Sequence, residues 1–386
     1  MRDPKIMVMN RLLLFVLFVL CARAASAQLT LRTEKGDFSC RFIGRALFDF
    51  GVFADDKTEL GNSVDLYDVR LGAVLDFADH WGGKIELGFV NNKVSLKDVY
   101  LDFRKGNHLV ILGHYFEYFA LGARIGSSDM KFNGYTATDQ AFGDRRKFGI
   151  SYAYKRERWD LCVGVFDDKD AGSSADDEDE GYVVASRVQY RPYLKDGQVI
   201  HVALSSRFYK LGDKTEHRLS YRAGAPSTLV SEKFLRAELT DAKSEWKYAA
   251  DVVMTLGRWY GQAEYLRTRV KRLDGAPAYD GEGGYAQVGY ALLGGRYSYN
   301  MSTGMASSTG PKSLELLCRY NFTNMNDCGA GIMGGQQHDI SVGAIYYFNK
   351  HVAVKASYTN VSVDKHSPVA GEQSFDMVQG RVQVSF

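Results

Sequence analysis

The chain has 386 residues, 45% of them hydrophobic, 13% aromatic and 24% charged, with 39 Gly and 6 Pro, which excludes a disordered or collagen-like polypeptide. Forty-eight Lys and Arg against 46 Asp and Glu leave a net charge of +2, without the basic footprint of a general nucleic-acid binder. No nucleic acid is expected among its partners.

In chain order, Arg2, Lys5 and Arg11 precede the nine apolar residues 12–20, and Ala25-Ser26-Ala27 follows as a small-x-small cleavage pattern. Nine residues fall well short of the ~20 that a helix needs to cross a bilayer, so residues 1–27 read as a cleaved signal peptide and 28–386 as the mature chain. Without the leader, 44 basic and 45 acidic side chains remain. Cys21 leaves with it, and Cys40, Cys162, Cys318 and Cys328 show no metal-ligand spacing, so free thiols and no metal site are expected.

The mature chain shows no long apolar run and no sustained helical period. Segments of ~10 residues alternate in twos instead. In 38–50, Phe38, Cys40, Phe42, Ala46, Phe48 and Phe50 oppose Ser39, Arg41, Arg45 and Asp49. In 313–322, Leu314, Leu316, Cys318, Tyr320 and Phe322 oppose Ser313, Glu315, Arg319 and Asn321. The segments 338–348 and 378–386 repeat the pattern. Candidate strands fall at 38–50, 64–77, 82–90, 97–104, 108–114, 145–155, 157–167, 182–192, 199–209, 232–240, 245–256, 258–268, 283–292, 312–322, 338–349, 351–361 and 374–386. That makes seventeen where bacterial barrels have even counts, so sixteen is expected.

Alternation alone also fits a soluble sheet. Three features favour a membrane barrel: apolar faces ending in Phe, Tyr or Trp, polar faces carrying charge continuously, and a last strand closing on the aromatic Phe386. Short connections (78–81, 104–107, 155–157, 193–198) alternate with long ones (167–181, 210–231, 269–282, 323–337), as periplasmic turns alternate with external loops. The fold class is therefore all-β, a transmembrane antiparallel barrel of sixteen strands, wide enough for an aqueous channel. Segment 167–180 holds eight acids and one Lys, and reads as a solvated external loop.

Particular segments carry a family resemblance. Leu96-Lys97-Asp98-Val99-Tyr100-Leu101, Leu112-Gly113-His114-Tyr115-Phe116-Glu117, Arg146-Lys147-Phe148-Gly149 and the closing Arg381-Val382-Gln383-Val384-Ser385-Phe386 stand in order and spacing similar to the phosphate-selective porin O and P family. The resemblance spans nearly the whole mature chain. It implies a sixteen-stranded, homotrimeric outer-membrane porin of a Gram-negative bacterium, whose third loop, here 115–144, folds into the lumen and narrows it. The chain departs from the family pattern at Tyr118, where the family has Pro, and at Leu292-Leu293-Gly294-Gly295.

A porin works by pore size and by the field of its wall charges. Strand parity turns Arg70, Arg187, Arg207 and Arg319 inward, and the inserted loop adds Arg124 and Lys131, with Arg145 and Arg146 at its exit. These eight are the candidate pore-lining, anion-binding residues. Parity also turns Asp49, Asp68, Glu86, Asp98, Asp102, Asp160, Glu264, Glu315 and Asp339 inward, so the cations could equally pair across the lumen. No hydrolase, P-loop or dinucleotide motif occurs, so no catalytic residue and no cofactor are expected. The expected function is passive diffusion of small hydrophilic solutes, with phosphate or related oxyanions as the class the resemblance implies, in contact with outer-membrane lipid and lipopolysaccharide. A general non-selective porin and a closed-barrel adhesin or structural protein are the alternatives.

Overall fold

A computed structural model describes residues 30–33, 36–54, 57–168, 180–212 and 216–386. The signal segment 1–27 and most of the acidic segment 167–180 lie outside these residues.

Sixteen antiparallel strands follow one another around a closed sheet: β1 (Phe38–Ala54), β2 (Ser63–Phe77), β3 (Trp81–Val90), β4 (Lys93–Lys105), β5 (His108–Phe116), β6 (Arg146–Lys155), β7 (Trp159–Asp167), β8 (Tyr182–Lys195), β9 (Gln198–Lys210), β10 (Ala242–Leu256), β11 (Trp259–Arg272), β12 (Tyr279–Leu293), β13 (Ser313–Asp327), β14 (Ile332–Tyr347), β15 (Val352–Val363) and β16 (Gln373–Ser385). The three-residue strand Thr30–Arg32 adds to the lower part of β1. Each strand pairs with the next, and β16 pairs back with β1 from Arg45↔Ser385 to Ala54↔Asp376. Closure is what a bilayer demands, because an open edge would leave backbone donors and acceptors in hydrocarbon without partners.

Period-2 alternation sorts side chains between lipid and lumen as the sequence pattern requires. Leu161, Val163 and Val165 of β7 are exposed outward, whereas Asp160, Cys162 and Phe166 are buried inward. Aromatic residues gather at the strand ends: Trp81 packs on Phe103, Trp159 on Tyr190 and Trp259 on Tyr290 at one rim, and Phe208 on Trp246 at the other. Among the described residues, Cys40, Cys162, Cys318 and Cys328 are free thiols.

Three sequence expectations change. The segment 232–240 alternates, but its strand, Leu235–Leu239, pairs with Leu219–Ala223 in a separate two-stranded hairpin within the long connection after β9. Leu235, Ala237 and Leu239 are buried in an internal apolar cluster and do not face lipid. This accounts for the surplus seventeenth candidate. The segment 323–337 is not a long loop, since β13 and β14 run far past the girdle and leave only residues 328–331 as the connection. At the opposite end, where turns such as 196–197 and 257–258 are minimal, the β12–β13 connection is unexpectedly long, at 294–312.

The seam between β1 and β16 is closed by aromatic rings lying on glycines. A Cβ at Gly380 would sit 2.0 Å from the Phe50 ring, and one at Gly44 would sit 2.4 Å from the Phe386 ring. Phe386 also exchanges backbone hydrogen bonds with Gly44 in both directions, at 3.0 Å each. The bare glycine faces let Phe50 and Phe386 cover the junction. Gly380→Val is expected to displace Phe50 and weaken the seam by roughly 1–3 kcal/mol. This would be read as a lower urea midpoint of tryptophan fluorescence in micelles. Gly61→Ala, where a Cβ meets nothing within 4 Å, is the control. Equal midpoints for both variants would sink this account of the seam.

Candidate functional site

After β5 the chain turns inward, and segment 117–145 crosses the lumen. Hydrogen bonds from opposite walls hold it. The Gly122 amide donates to Glu264 of β11 at 2.7 Å, as does the neighbouring Leu121 amide. Lys131 pairs with Glu315 of β13 at 2.6 Å, and Ser127 donates to Asp68 of β2. Arg381 of β16 donates to the Ser127 and Asn133 carbonyls. The segment contains one short helix, α1 (Ala137–Phe142), capped by the Thr136 hydroxyl, which accepts from the Asp139 amide at 3.0 Å. Thr138 then donates to Asn321 of β13 at 2.8 Å.

Electrostatics inside the segment follow from burial and partners. Burial pushes the Asp139 carboxyl up to about 6. Burial acts the same way on Asp144, but Arg207 and Lys247 overrule it and hold that carboxyl below its ordinary value. Gly122 is required here, because a Cβ would fall 2.4 Å from the Asp139 carboxylate.

Two further segments enter the barrel. From the long-loop end, 216–241 brings its hairpin over α1, where Tyr221 packs between Phe142 and Tyr279, and Gln140 donates to the Gly224 and Ala225 carbonyls. From the short-turn end, 294–312 places Tyr297 beside Tyr260, with Lys131 over both rings at 5.0 and 5.4 Å. Tyr299 hydrogen-bonds His201 at 2.7 Å, and Lys155 donates to the Ser302 carbonyl at 2.8 Å. The three segments pack against β6–β15, where inward polar residues such as Glu264, Glu315 and Arg319 are buried. Along β2–β5 the inward side chains Lys84, Lys97 and Asp98 keep partial exposure, and exposed Arg145 and half-buried Arg146 belong to the same cation cluster.

The eight candidate residues fall into two groups. Arg70 pairs with Asp68 at 2.8 Å and Glu86 at 3.2 Å, Arg146 with Asp98 at 2.6 Å, and Arg187 with Asp251 at 2.6 Å. Arg207 pairs with Glu117 at 2.8 Å and Glu245 at 2.7 Å, and Lys131 with Glu315. Arg124, Arg145 and Arg319 form no ion pair among the described residues. They lie over aromatic rings: Tyr118 at 5.4 Å, Tyr135 at 5.2 Å and Phe132 at 4.4 Å respectively. Buried Arg319 donates to the Gly134 carbonyl and leaves two guanidinium nitrogens without a partner.

Lys97 was missed by parity, which turns it outward once Asp98 is inward. A register shift makes both point in: Ile85 pairs with Val99 and Leu87 with Leu96, so β4 carries one extra residue. The Lys97 side chain lies against the inward face of Gly88, among Arg70, Arg145 and Arg146, and forms no ion pair among the described residues. No alternation signal could have located that bulge. Around it carboxylates are shared: Glu86 serves Arg45, Arg70 and Lys84, and Asp98 serves Lys84 and Arg146. The cations of this wall therefore exceed their partners.

The model of the family "Phosphate-selective porin O and P" matches residues 42–386. Porin O of Pseudomonas aeruginosa is 24% identical over 258 residues, covering 58% of this chain and 57% of its own. Among solved structures, an anion-selective porin from Comamonas acidovorans superposes with a TM-score of 0.60 at 13% identity, over 90% of this chain and 100% of that one. The trimer form of OmpT, an outer-membrane protein of Vibrio cholerae, gives 0.61 at 11% identity, over 90% and 99%. Given this match across the closed sixteen-stranded barrel, the chain belongs to the phosphate-selective porin O and P family, as an outer-membrane channel for small solutes.

Proposed function

We propose that this channel prefers anions, phosphate and related oxyanions among them, and that solutes pass between the inserted segment 117–145 and the β2–β5 wall. What carries the reading is the pair Lys97 and Arg145, cations of one cluster without carboxylate partners among the described residues. Low-dielectric walls strengthen their field, and salt screens it. An oxyanion entering there would exchange part of its hydration for charge-assisted hydrogen bonds. The same reading has the chain exported through a cleaved signal peptide and assembled as a homotrimer, surrounded by outer-membrane lipid and lipopolysaccharide. The trimer form of the Vibrio cholerae protein and the anion selectivity named for the Comamonas acidovorans porin support it by analogy.

The deciding experiment is the reversal potential of purified, refolded protein in a planar bilayer under a potassium chloride gradient, followed by phosphate titration. Anion preference with block by phosphate is expected. Weak preference without block would make the protein a general diffusion pore, and absence of channels in folded protein would make it a closed barrel.

Two variants sharpen the assignment. At an effective dielectric constant near 20, a unit charge ~8 Å away contributes about 2 kcal/mol, so Lys97→Glu with Arg145→Glu should cut the anion-to-cation permeability ratio by roughly tenfold or more at low salt. An unchanged reversal potential would remove these residues from the conduction path. Replacing residues 296–308 by an Asn-Gly turn should raise single-channel conductance by roughly twofold or more, because it clears the short-turn mouth. Unchanged conductance would show that this segment does not limit flow.

A further inference from the structure

The outer wall carries a concave apolar trough of about 880 Å³ across β7–β13. Two adjacent pairing rows build it. One runs Trp159↔Tyr190↔Val202↔Val252↔Ala263↔Ala286↔Tyr320 through seven strands, and the next includes Ala250↔Tyr265↔Gly284↔Phe322. Small residues, Ala250, Ala263, Gly284 and Ala286, form the floor. Aromatic residues close both ends: Trp159 stacked on Tyr190 at 4.2 Å on one side, Tyr320 and Phe322 on the other. Trp159 is the first residue of β7, beside the short-turn rim, whereas Tyr320 stands midway along β13. The trough therefore climbs obliquely from the short-turn rim to Tyr320 and Phe322, the last apolar outward residues of β13 before Asn324.

The rim below it is basic. The turns at the feet of β6–β11 carry exposed Arg156, Arg158, Lys195 and Arg258, none in an ion pair among the described residues, against the exposed acids Glu157 and Asp196, so four cations face two carboxylates. Arg158 and Arg258 are held in place by donating to the Arg191, Pro192 and Leu292 carbonyls. On the opposite side of the barrel the equivalent turns 78–80, 106–107 and 348–351, with the strand end Lys105, contribute Lys105 and Lys350 against Asp79. Apolar groove and cationic foot thus coincide on one sector.

We propose that this sector is a specific binding site for an anionic phospholipid of the periplasmic leaflet, its phosphate on Arg156 and Arg158 and one acyl chain lying in the Ala263–Ala286 trough. The charge at the foot selects this occupant over a second copy of the chain, whose outward wall at these rows is apolar and offers the arginines no anion. A loosely held annular lipid would need neither the floor of small residues nor the cation cluster. Trp159 and Tyr190 mark the level of the glycerol region, as interfacial aromatics do.

The full-length mature chain, delipidated in detergent and titrated with dioleoylphosphatidylglycerol or dioleoylphosphatidylcholine, is read by native mass spectrometry. Retention of phosphatidylglycerol in preference to phosphatidylcholine is expected. Arg156→Gln with Arg158→Gln should weaken phosphatidylglycerol retention by roughly tenfold or more, and Ala263→Phe with Ala286→Phe should abolish it by filling the trough. Heat-modifiability on gels and single-channel conductance confirm that each variant is folded. If the phenylalanine variant fails to fold, the arginine variant alone decides. Equal retention of both lipids, or equal retention by wild type and the arginine variant, overturns the proposal. So does a phenylalanine variant that loses its oligomeric state while retaining lipid, which would make the trough an interface between copies. Conductance is read separately, so failure here leaves the channel assignment standing or falling on its own data.

Discussion

The pairing of β16 with β1 is the constraint on which the rest of the molecule depends. Inside the lumen Arg381 grips Asp49 across this seam with two hydrogen bonds, at 2.6 and 2.7 Å, both side chains fully buried. On the outside Phe50 and Phe386 cover the glycines of the same junction. A buried ion pair is costly to desolvate, and removing one partner strands the other charge. The arrangement therefore makes a partly closed sheet a poor alternative to a closed one. Arg381 also donates to the carbonyls of segment 117–145 and lies over Tyr67 at 4.6 Å, so the residue that shuts the barrel also holds its internal loop.

From that anchor the lumen becomes two-sided. Segments entering from both ends pack against β6–β15, and several of the charges buried there are paired: Lys131 with Glu315, Arg207 with Glu117 and Glu245, Arg187 with Asp251, whereas Arg319 lies over the Phe132 ring without an ion pair among the described residues. The remaining wall, β2–β5, keeps partly exposed polar side chains, and with Arg45, Arg145 and Arg146 beside it the cations there outnumber the carboxylates. A barrel whose inward charges were all paired would present a nearly neutral path, so the bulge that turns Lys97 inward changes the field of the wall out of proportion to its one residue.

The pattern of alternation located fifteen wall strands besides the closing one, and the surplus candidate at 232–240 shows the limit of the method. A strand with one apolar face reads identically whether that face meets lipid or, as with Leu235 and Leu239, an internal cluster. Parity gave the inward direction of Arg70, Arg187, Arg207 and Arg319 because a period of two survives any register. It failed at Lys97 and could not see Tyr67, the extra residue at the Leu47/Phe48 register shift, because a bulge reverses parity without leaving a mark in composition.

What the sequence by itself determined is the solvent on each side of the wall: apolar and polar residues alternate because hydrocarbon and water lie on opposite faces of one sheet, and the terminal aromatics set its height. The inserted loop between β5 and β6 was legible only through the family resemblance. The tertiary structure alone decided which cations are neutralised, that 294–312 enters from the short-turn end, and that small residues of three strands line up as a trough. Each of these depends on register between strands far apart in the chain, where a shift of one residue would exchange the partners while leaving every local pattern intact.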